Sequence, residues 1–282
     1  MRKNIAGEKF NLEDIFEDGW GVFKAIFAKC APIAIGFGFI TNLLVLLTVA
    51  KIPFDAWAAR IAAMAPDGSA RDADLLALKL QIRFTATANN FFTYLVFSVA
   101  MLAIAKCAER FITQRQISAG EALSEGVRRW PRYLWTAFLS GLIIMGLSCL
   151  LIVPGLIWTV YYLFVPYVVA MTSLSGKQAL DYSKSLVRGA FWNTLGYFIA
   201  IGIATAIPTM ILSLALQTAA NLVTSSLPAA AAVAVEALVN APLYLINIFQ
   251  IALCTVFFLN RAYLARERGQ AANEDEQPAA NG

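Results

Sequence analysis

Polar residues recur at helical spacing within a long apolar stretch near the end of the sequence. Successive members are separated by four, four and three positions, so a continuous helix places them on one face. A polar group inside a membrane span indicates a functional site, but amides also hydrogen-bond between helices and stabilise their packing. The polar stripe is therefore either a substrate-lining surface or a packing contact. It consists of Glu236, Asn240, Tyr244 and Asn247, with Gln250 beside them and Asn42 in an earlier apolar run.

The residue types needed for most catalysis are missing from the sequence. There is no histidine, which excludes imidazole bases, histidine metal ligands and Ser-His-Asp chemistry. Paired acids are absent from the apolar runs, and no G-x-x-x-x-G-K-[ST] phosphate loop occurs. The four cysteines show no C-x-x-C spacing and are interpreted as small apolar residues. We expect no catalytic residue, metal or cofactor, and hence no enzyme.

Long uncharged runs position these residues. The chain is 59% hydrophobic and 14% charged, with a mean hydropathy of +0.65. A soluble domain averages about 25% charged residues. Five runs carry no charge, at 30–50, 84–105, 133–176, 189–235 and 237–260, and roughly 20 apolar residues span a bilayer as a helix. Continuous apolar runs exclude the alternating strands of a barrel. The sequence predicts an all-α polytopic protein with spans at 30–51, 86–107, 133–153, 155–174, 191–216 and 232–260.

The two longest runs each hold more than one span. Pro154-Gly155 predicts a turn within 133–176, and a polar break near residues 217–228 divides the other run. The first run is longer than the 7–15 apolar residues of a signal peptide, so we expect a permanent span. Residues 1–269 then form one six-span domain, and 270–282 form a disordered cytoplasmic tail.

Positive charge predicts the orientation. All but five of the 22 Lys and Arg lie in the N-terminal segment, the 106–132 and 175–190 loops and the tail. The positive-inside rule then places both termini in the cytoplasm and the 51–86 loop outside. The basic inner rim is expected to contact anionic headgroups of the cytoplasmic (inner) membrane. A net charge of +4 is too small to indicate nucleic acid.

Three cytoplasmic segments resemble one another. Residues 12–27, 119–134 and 176–191 each precede a pair of apolar runs and carry aligned small and apolar positions. This predicts a threefold unit of an amphipathic surface helix followed by a membrane hairpin, although any basic amphipathic loop has a similar composition. Ser118 with Glu121 resembles a capping box at the start of the second helix. In the outer loop, apolar residues at helical spacing (Phe54, Trp57, Ile61 and Met64) predict a short surface helix. A second helix is expected to begin at about residue 70 and to run into span two.

The stretch 154–192 resembles the membrane domain of the glycerophosphoryl diester phosphodiesterase superfamily and related six-span bacterial proteins. The resemblance lies in the Pro154-Gly155 turn, Pro166 and a cytoplasmic motif. Where family members often carry a glutamate before this motif, the chain has Thr172 and Ser173. Hydrolytic members carry their chemistry in a separate soluble barrel, so the resemblance implies a membrane module rather than an activity. The cytoplasmic motif comprises Ala179, Leu180, Ser185, Leu186, Gly189 and Trp192.

Two functions fit this sequence, and an intramembrane enzyme fits least. The first is a non-catalytic integral membrane protein that supports envelope or lipid homeostasis through lipid or partner-protein contacts, alone or as a homo-oligomer. The alternative is a transporter or exporter of a small apolar or amphipathic solute. Substituting Asn42 and Asn247 by leucine separates them, because a transporter loses flux while packing contacts lose stability.

Overall fold

The computed structural model describes residues 10–49, 72–224 and 227–275, and every regular element in them is helical. This confirms the all-α class. The predicted outer-loop helix at 54–64 lies outside the described residues. The helices are α1 (Leu12–Val49), α2 (Asp72–Ile112), α3 (Ala119–Leu150), α4 (Ile152–Tyr161), α5 (Val165–Met171), α6 (Gly176–Val187), α7 (Phe191–Thr224), α8 (Ala229–Asn240) and α9 (Tyr244–Asp275), with a 3-10 turn at Ala241–Leu243.

Five segments among the described residues are long and apolar enough to cross a membrane. They are Leu12–Leu44, Ala119–Leu150, Ile152–Met171, Phe191–Thr224 and Ala234–Glu267. Each contains most of one predicted span. The predicted span 86–107 lies within α2, which is not among the five and of whose side chains only some are described. As predicted, the helix that begins near residue 70 continues without interruption through this region.

The predicted surface helix continues directly into the predicted span in two of the three segments, whereas a turn separates the two in the third. In the first two, both predicted elements belong to one continuous helix, α1 or α3. In the third, α6 ends at Val187, and a turn at Gly189, with φ of 83°, separates it from α7. The predicted capping box is confirmed at the start of α3. Ser118 N donates to Glu121 Oε2 at 2.9 Å, and Glu121 N donates to Ser118 Oγ at 3.2 Å.

The turn between the third and fourth predicted spans is displaced from its predicted place. The chain turns at Leu151, which is extended with φ of −155°, and Pro154-Gly155 lies in the first turn of α4. Proline is tolerated there because first-turn amides have no helical acceptor. Gly155 allows α4 to lie close to α3, because a Cβ added at this position would clash with Ser148 of α3. At the other end, α9 continues to Asp275, so residues 270–275 of the predicted disordered tail are helical.

The described residues fall into two compact units. Unit 1 comprises the described residues of Met1–Ile35, Val99–Leu212 and Leu243–Gly282. Unit 2 comprises those of Gly36–Ser98 and Ser213–Pro242. In unit 1, α2 and α3 approach closely at Gly126, where an added Cβ would lie 3.0 Å from Val99 O and 3.1 Å from Ala103 N. Gly19 of α1 likewise contacts Leu253 of α9.

Large apolar side chains cover one outer face of α3 and one of α7. Trp135, Phe138, Leu142 and Met145 are exposed on α3, at spacings of three, four and three residues. Ile199, Ile203, Ile207 and Met210 are exposed in the same way on α7. An exposed apolar surface of this extent is unstable in water and is typical of a lipid-facing surface. The chain is therefore a multi-pass membrane protein.

Candidate functional site

The candidate span Ile152–Met171 is interrupted at its centre, and Pro166 explains why. Pro166 has no N–H, so it cannot donate to Tyr162 O as a helical residue would. Val165 N donates to Tyr162 O instead, at 3.1 Å. In a regular helix Val165 N would donate to Tyr161 O, so Tyr161 O is left without its helical donor. The helix ends at Tyr161 and resumes at Val165.

Helix α6 supplies the missing donor. Ser183 Oγ donates to Tyr161 O at 2.7 Å, and Ser183 is fully buried. A second tie lies at the start of α6, where Gly176 N donates to Thr136 Oγ1 of α3 at 2.8 Å. A buried carbonyl without a donor costs about 1–3 kcal/mol, so the Ser183 bond fixes where α6 docks. We refer to α4, α5 and α6 together as the docked-helix site.

Apolar packing and one cation complete the docking. Leu180 of α6 packs in a buried cluster with Tyr162 and Val165, against which Ile143 of α3 also packs. The Lys184 ammonium lies 4.2 Å from the centroid of the Trp158 ring. A cation over an indole face contributes about 0.5–2 kcal/mol, more as the pair is removed from water.

Arg129 of α3 binds the end of α5. Its Nη1 donates to Val169 O at 3.1 Å and to Thr172 O at 2.5 Å, while its Nε donates to Glu125 Oε2 at 3.1 Å. The last carbonyls of a helix have no internal donor, and a guanidinium can satisfy two of them at once. Arg129 therefore links α3 to the short half of the interrupted span, and Glu125 orients it.

Further charges are buried near the end of α2 and near the middle of α9. Lys106 is 4% exposed, and its ammonium lies 2.6 Å from Glu109 Oε2. Arg261 is 3% exposed, with its guanidinium carbon 5.2 Å from the Phe257 ring centroid. Both cations follow directly on uncharged runs of the sequence, 84–105 and 237–260, and long basic side chains in such positions can keep their charge near lipid headgroups.

The structure distributes the polar stripe over three helices, α1, α8 and α9, and over two units. The 3-10 turn Ala241–Leu243, which contains Pro242, separates Asn240 from Tyr244, so the one-face argument applies only within each helix. Glu236, Asn240 and Asn42 belong to unit 2, and Tyr244, Asn247 and Gln250 belong to unit 1. All six are half-buried.

The asparagines of the polar stripe make no hydrogen bond to another helix within the described residues. Asn240 Nδ2 donates to Glu236 O of its own helix at 2.9 Å. The buried Nδ2 of Asn42 has no acceptor within the described residues. The interhelical bonds that a packing role implies are thus not seen in this part of the chain.

The cytoplasmic motif has a structural explanation at four of its six positions. Ala179, Leu180 and Leu186 lie on the buried face of α6. Gly189 adopts a left-handed backbone conformation in the turn between α6 and α7, which glycine tolerates best. Ser185 and Trp192 are exposed, Trp192 by 78%, and Ser185 Oγ donates only to Tyr182 O of its own helix.

Sequence reasoning missed Arg129, Ser183 and Lys184 as interacting residues. Pro166 carried a signal for the interruption, because it removes a helical donor. The identity of the replacement donor depends on which helix packs there, and Ser183 lies 22 residues from Tyr161. The described residues contain no group of three or more Cys, Asp or Glu side chains placed to hold a metal ion.

No protein-family model, no curated protein and no solved structure matches this chain. The resemblance of residues 154–192 to the membrane-domain superfamily therefore stays a prediction.

Proposed function

We propose that this chain is a non-catalytic integral protein of the cytoplasmic membrane that supports envelope or lipid homeostasis by contacting lipid or a partner protein. The observation that carries the proposal is the pair of exposed apolar faces on α3 and α7. These faces present aliphatic and aromatic side chains without a polar group that could do chemistry. We further propose six spans, with α2 as the sixth, both termini in the cytoplasm, and the threefold unit as the origin of the cytoplasmic segments.

The docked-helix site supports a contact function. Its polar groups are used to fix α6 against α3 and the interrupted span, through Ser183, Arg129 and Lys184. The outward side of α6 remains polar, with Gln178 and Ser185 exposed. An ordered helix with a polar outer side at the inner rim suits contact with a partner protein.

Transport of a small apolar or amphipathic solute is the second candidate, and the interrupted helices favour it. Two candidate spans are broken, at residues 162–164 and at Ala241–Leu243. Discontinuous helices are common where transporters bind their substrates. The asparagines without interhelical bonds are consistent with this candidate.

Native mass spectrometry of the chain extracted with its own lipid tests the first proposal. Lipid at fixed stoichiometry, or a retained partner protein, supports it, and a chain that keeps neither contradicts it.

For transport, Nile red efflux from proteoliposomes is compared between the wild type and Asn42→Leu or Asn247→Leu. The matched control is Asn193→Leu, which removes an exposed amide of α7. Loss of flux with unchanged thermal stability supports transport, and unchanged flux contradicts a transport role for these residues.

A further inference from the structure

A cavity of about 430 Å³ lies in unit 1 between the middle of α1 and the loop after α2. Its walls come from α1 near Lys29, from the end of α2, and from loop residues 114–117. Cavities of about 300–1,000 Å³ accommodate small ligands. This cavity is separate from the docked-helix site and from the polar stripe, none of whose residues line it.

The rim of the cavity is basic. Lys29 and Arg115 line it, together with the amides of Gln114 and Gln116, and no carboxylate is among its described lining residues. Lys29 Nζ uses one of its three donors on Ile117 O, at 3.4 Å. The Arg115 guanidinium forms no ion pair or hydrogen bond within the described residues. Two cations and two amides around one concavity are suited to an anion with several acceptor oxygens.

The floor of the cavity is apolar. Ile26, Cys107 and Ile112 line it and are each at most 5% exposed, while Phe111 stands at its edge and is 40% exposed. An inorganic ion gains nothing from such a floor. A phosphate attached to an apolar body places its charge at the rim and its body against Ile26 and Phe111.

The backbone fixes the rim before any ligand binds. Gln114 adopts a left-handed conformation with φ of 56°, and Arg115 N donates to Arg110 O at 2.8 Å, which ties the loop to the end of α2. The capping box at Ser118 anchors the other end of the loop. A loop held at both ends loses little conformational entropy on binding, which favours affinity.

The cavity also lies at the depth of lipid headgroups in the proposed six-span topology. Lys29 immediately precedes the first predicted span, and Arg115 follows the second by a few residues on the same side. Both are on the cytoplasmic face, where anionic lipids are concentrated.

From these features we infer that the cavity binds the phosphate group of an anionic molecule, with Lys29 and Arg115 as its charge partners. The apolar floor favours a phospholipid over free phosphate as the source of that group. This inference rests on the proposed contact function and names its ligand class and its site.

The full chain in zwitterionic phosphatidylcholine nanodiscs provides the test. Phosphatidylglycerol of the same acyl length is titrated in, and retained lipid is counted by native mass spectrometry. The variants Lys29→Gln and Arg115→Gln each remove one charge. Arg115→Lys keeps the charge, and Lys177→Gln removes an exposed charge from α6, outside the cavity. A parallel series adds inorganic phosphate as competitor.

We expect the wild type to retain one phosphatidylglycerol at fixed stoichiometry. Each neutralising variant should bind about tenfold more weakly, because a hydrogen bond to a charged group is lost. Arg115→Lys should lose less, and Lys177→Gln should match the wild type. If inorganic phosphate displaces the lipid at comparable concentration, free phosphate is the source, and the phosphate site stands.

Equal phosphatidylglycerol retention by the wild type and both neutralising variants overturns the inference. So does a loss of retention in Lys177→Gln equal to that in Arg115→Gln, because the effect is then bulk charge. In either case the wild type still keeps lipid, and the contact function survives. A wild type that keeps neither lipid nor partner contradicts the contact function itself.

Discussion

At the residue scale, Arg129 makes two long-range hydrogen bonds to carbonyls at the end of α5. Its Nη1 satisfies Val169 O and Thr172 O while its Nε engages Glu125. In Arg129→Met, two carbonyls lose their donor, and the half-buried carboxylate of Glu125 loses one of its two cationic partners. We expect the unfolding free energy to fall by about 2–3 kcal/mol, read as a lower thermal midpoint in nanodiscs.

Arg128→Gln is the control for this prediction. Arg128 pairs with the same Glu125, at 2.9 Å, but its side chain is 73% exposed. Exposed pairs contribute at most about 1 kcal/mol, so this variant should stay near the wild type. If the two variants melt at the same temperature, the carbonyl contacts of Arg129 contribute nothing to stability.

Local residue patterns were predictable from the sequence, whereas distant partners were not. Ser118 and Glu121 form their capping box within one helical turn, so spacing alone predicts it. Arg129 reaches carbonyls 40 and 43 residues away. Its partners depend on how α3 and α5 pack, and side-chain type does not determine that.

At the element scale, one hydroxyl anchors α6 to the interrupted span. Ser183→Ala removes the donor to Tyr161 O, a buried carbonyl that has also lost its helical donor. We expect a loss of about 1–3 kcal/mol in the docking of α6. Hydrogen exchange across Gly176–Val187 measures it, because amides of an undocked helix exchange faster.

The matched control lies two residues further along the same helix. Ser185 is exposed, and its hydroxyl donates to Tyr182 O at 2.7 Å within α6. Ser185→Ala should leave exchange across α6 unchanged. Faster exchange in both variants would indicate a change in helix propensity rather than in docking.

The close approach of α2 and α3 gives a second prediction for packed elements. Gly126→Val adds a branched side chain at a position where even a single added Cβ would lie within 3.2 Å of Val99 O and Ala103. The backbone atoms cannot move aside, so the helices must separate, at a cost of about 1–3 kcal/mol. Gly141→Val, also on α3, has nothing within 4 Å of its Cβ and should melt near the wild type. Equal melting temperatures would show that Gly126 is not a point of close contact.

Element ends were harder to predict than the elements themselves. Uncharged runs gave most of each span, because a bilayer demands about 20 apolar residues. The break at Leu151 and the interruption at residues 162–164 lie inside apolar runs, where composition does not change. Pro154 illustrates the problem, since proline is compatible both with a turn and with the first turn of a helix.

At the scale of the whole molecule, the number of spans decides where the termini lie. Five described segments qualify as spans by length and composition, and the proposed sixth lies within α2. Six spans would place both termini on the same side of the membrane, and the distribution of Lys and Arg predicts that this side is the cytoplasm. We expect an impermeant maleimide to label Ser69→Cys in intact cells, and to label Asn4→Cys and Asn281→Cys only after permeabilisation. The background is Cys149→Ser, because Cys149 is exposed whereas Cys30, Cys107 and Cys254 are buried. If α2 does not cross, five spans put the termini on opposite sides, and one of the two terminal cysteines reacts in intact cells.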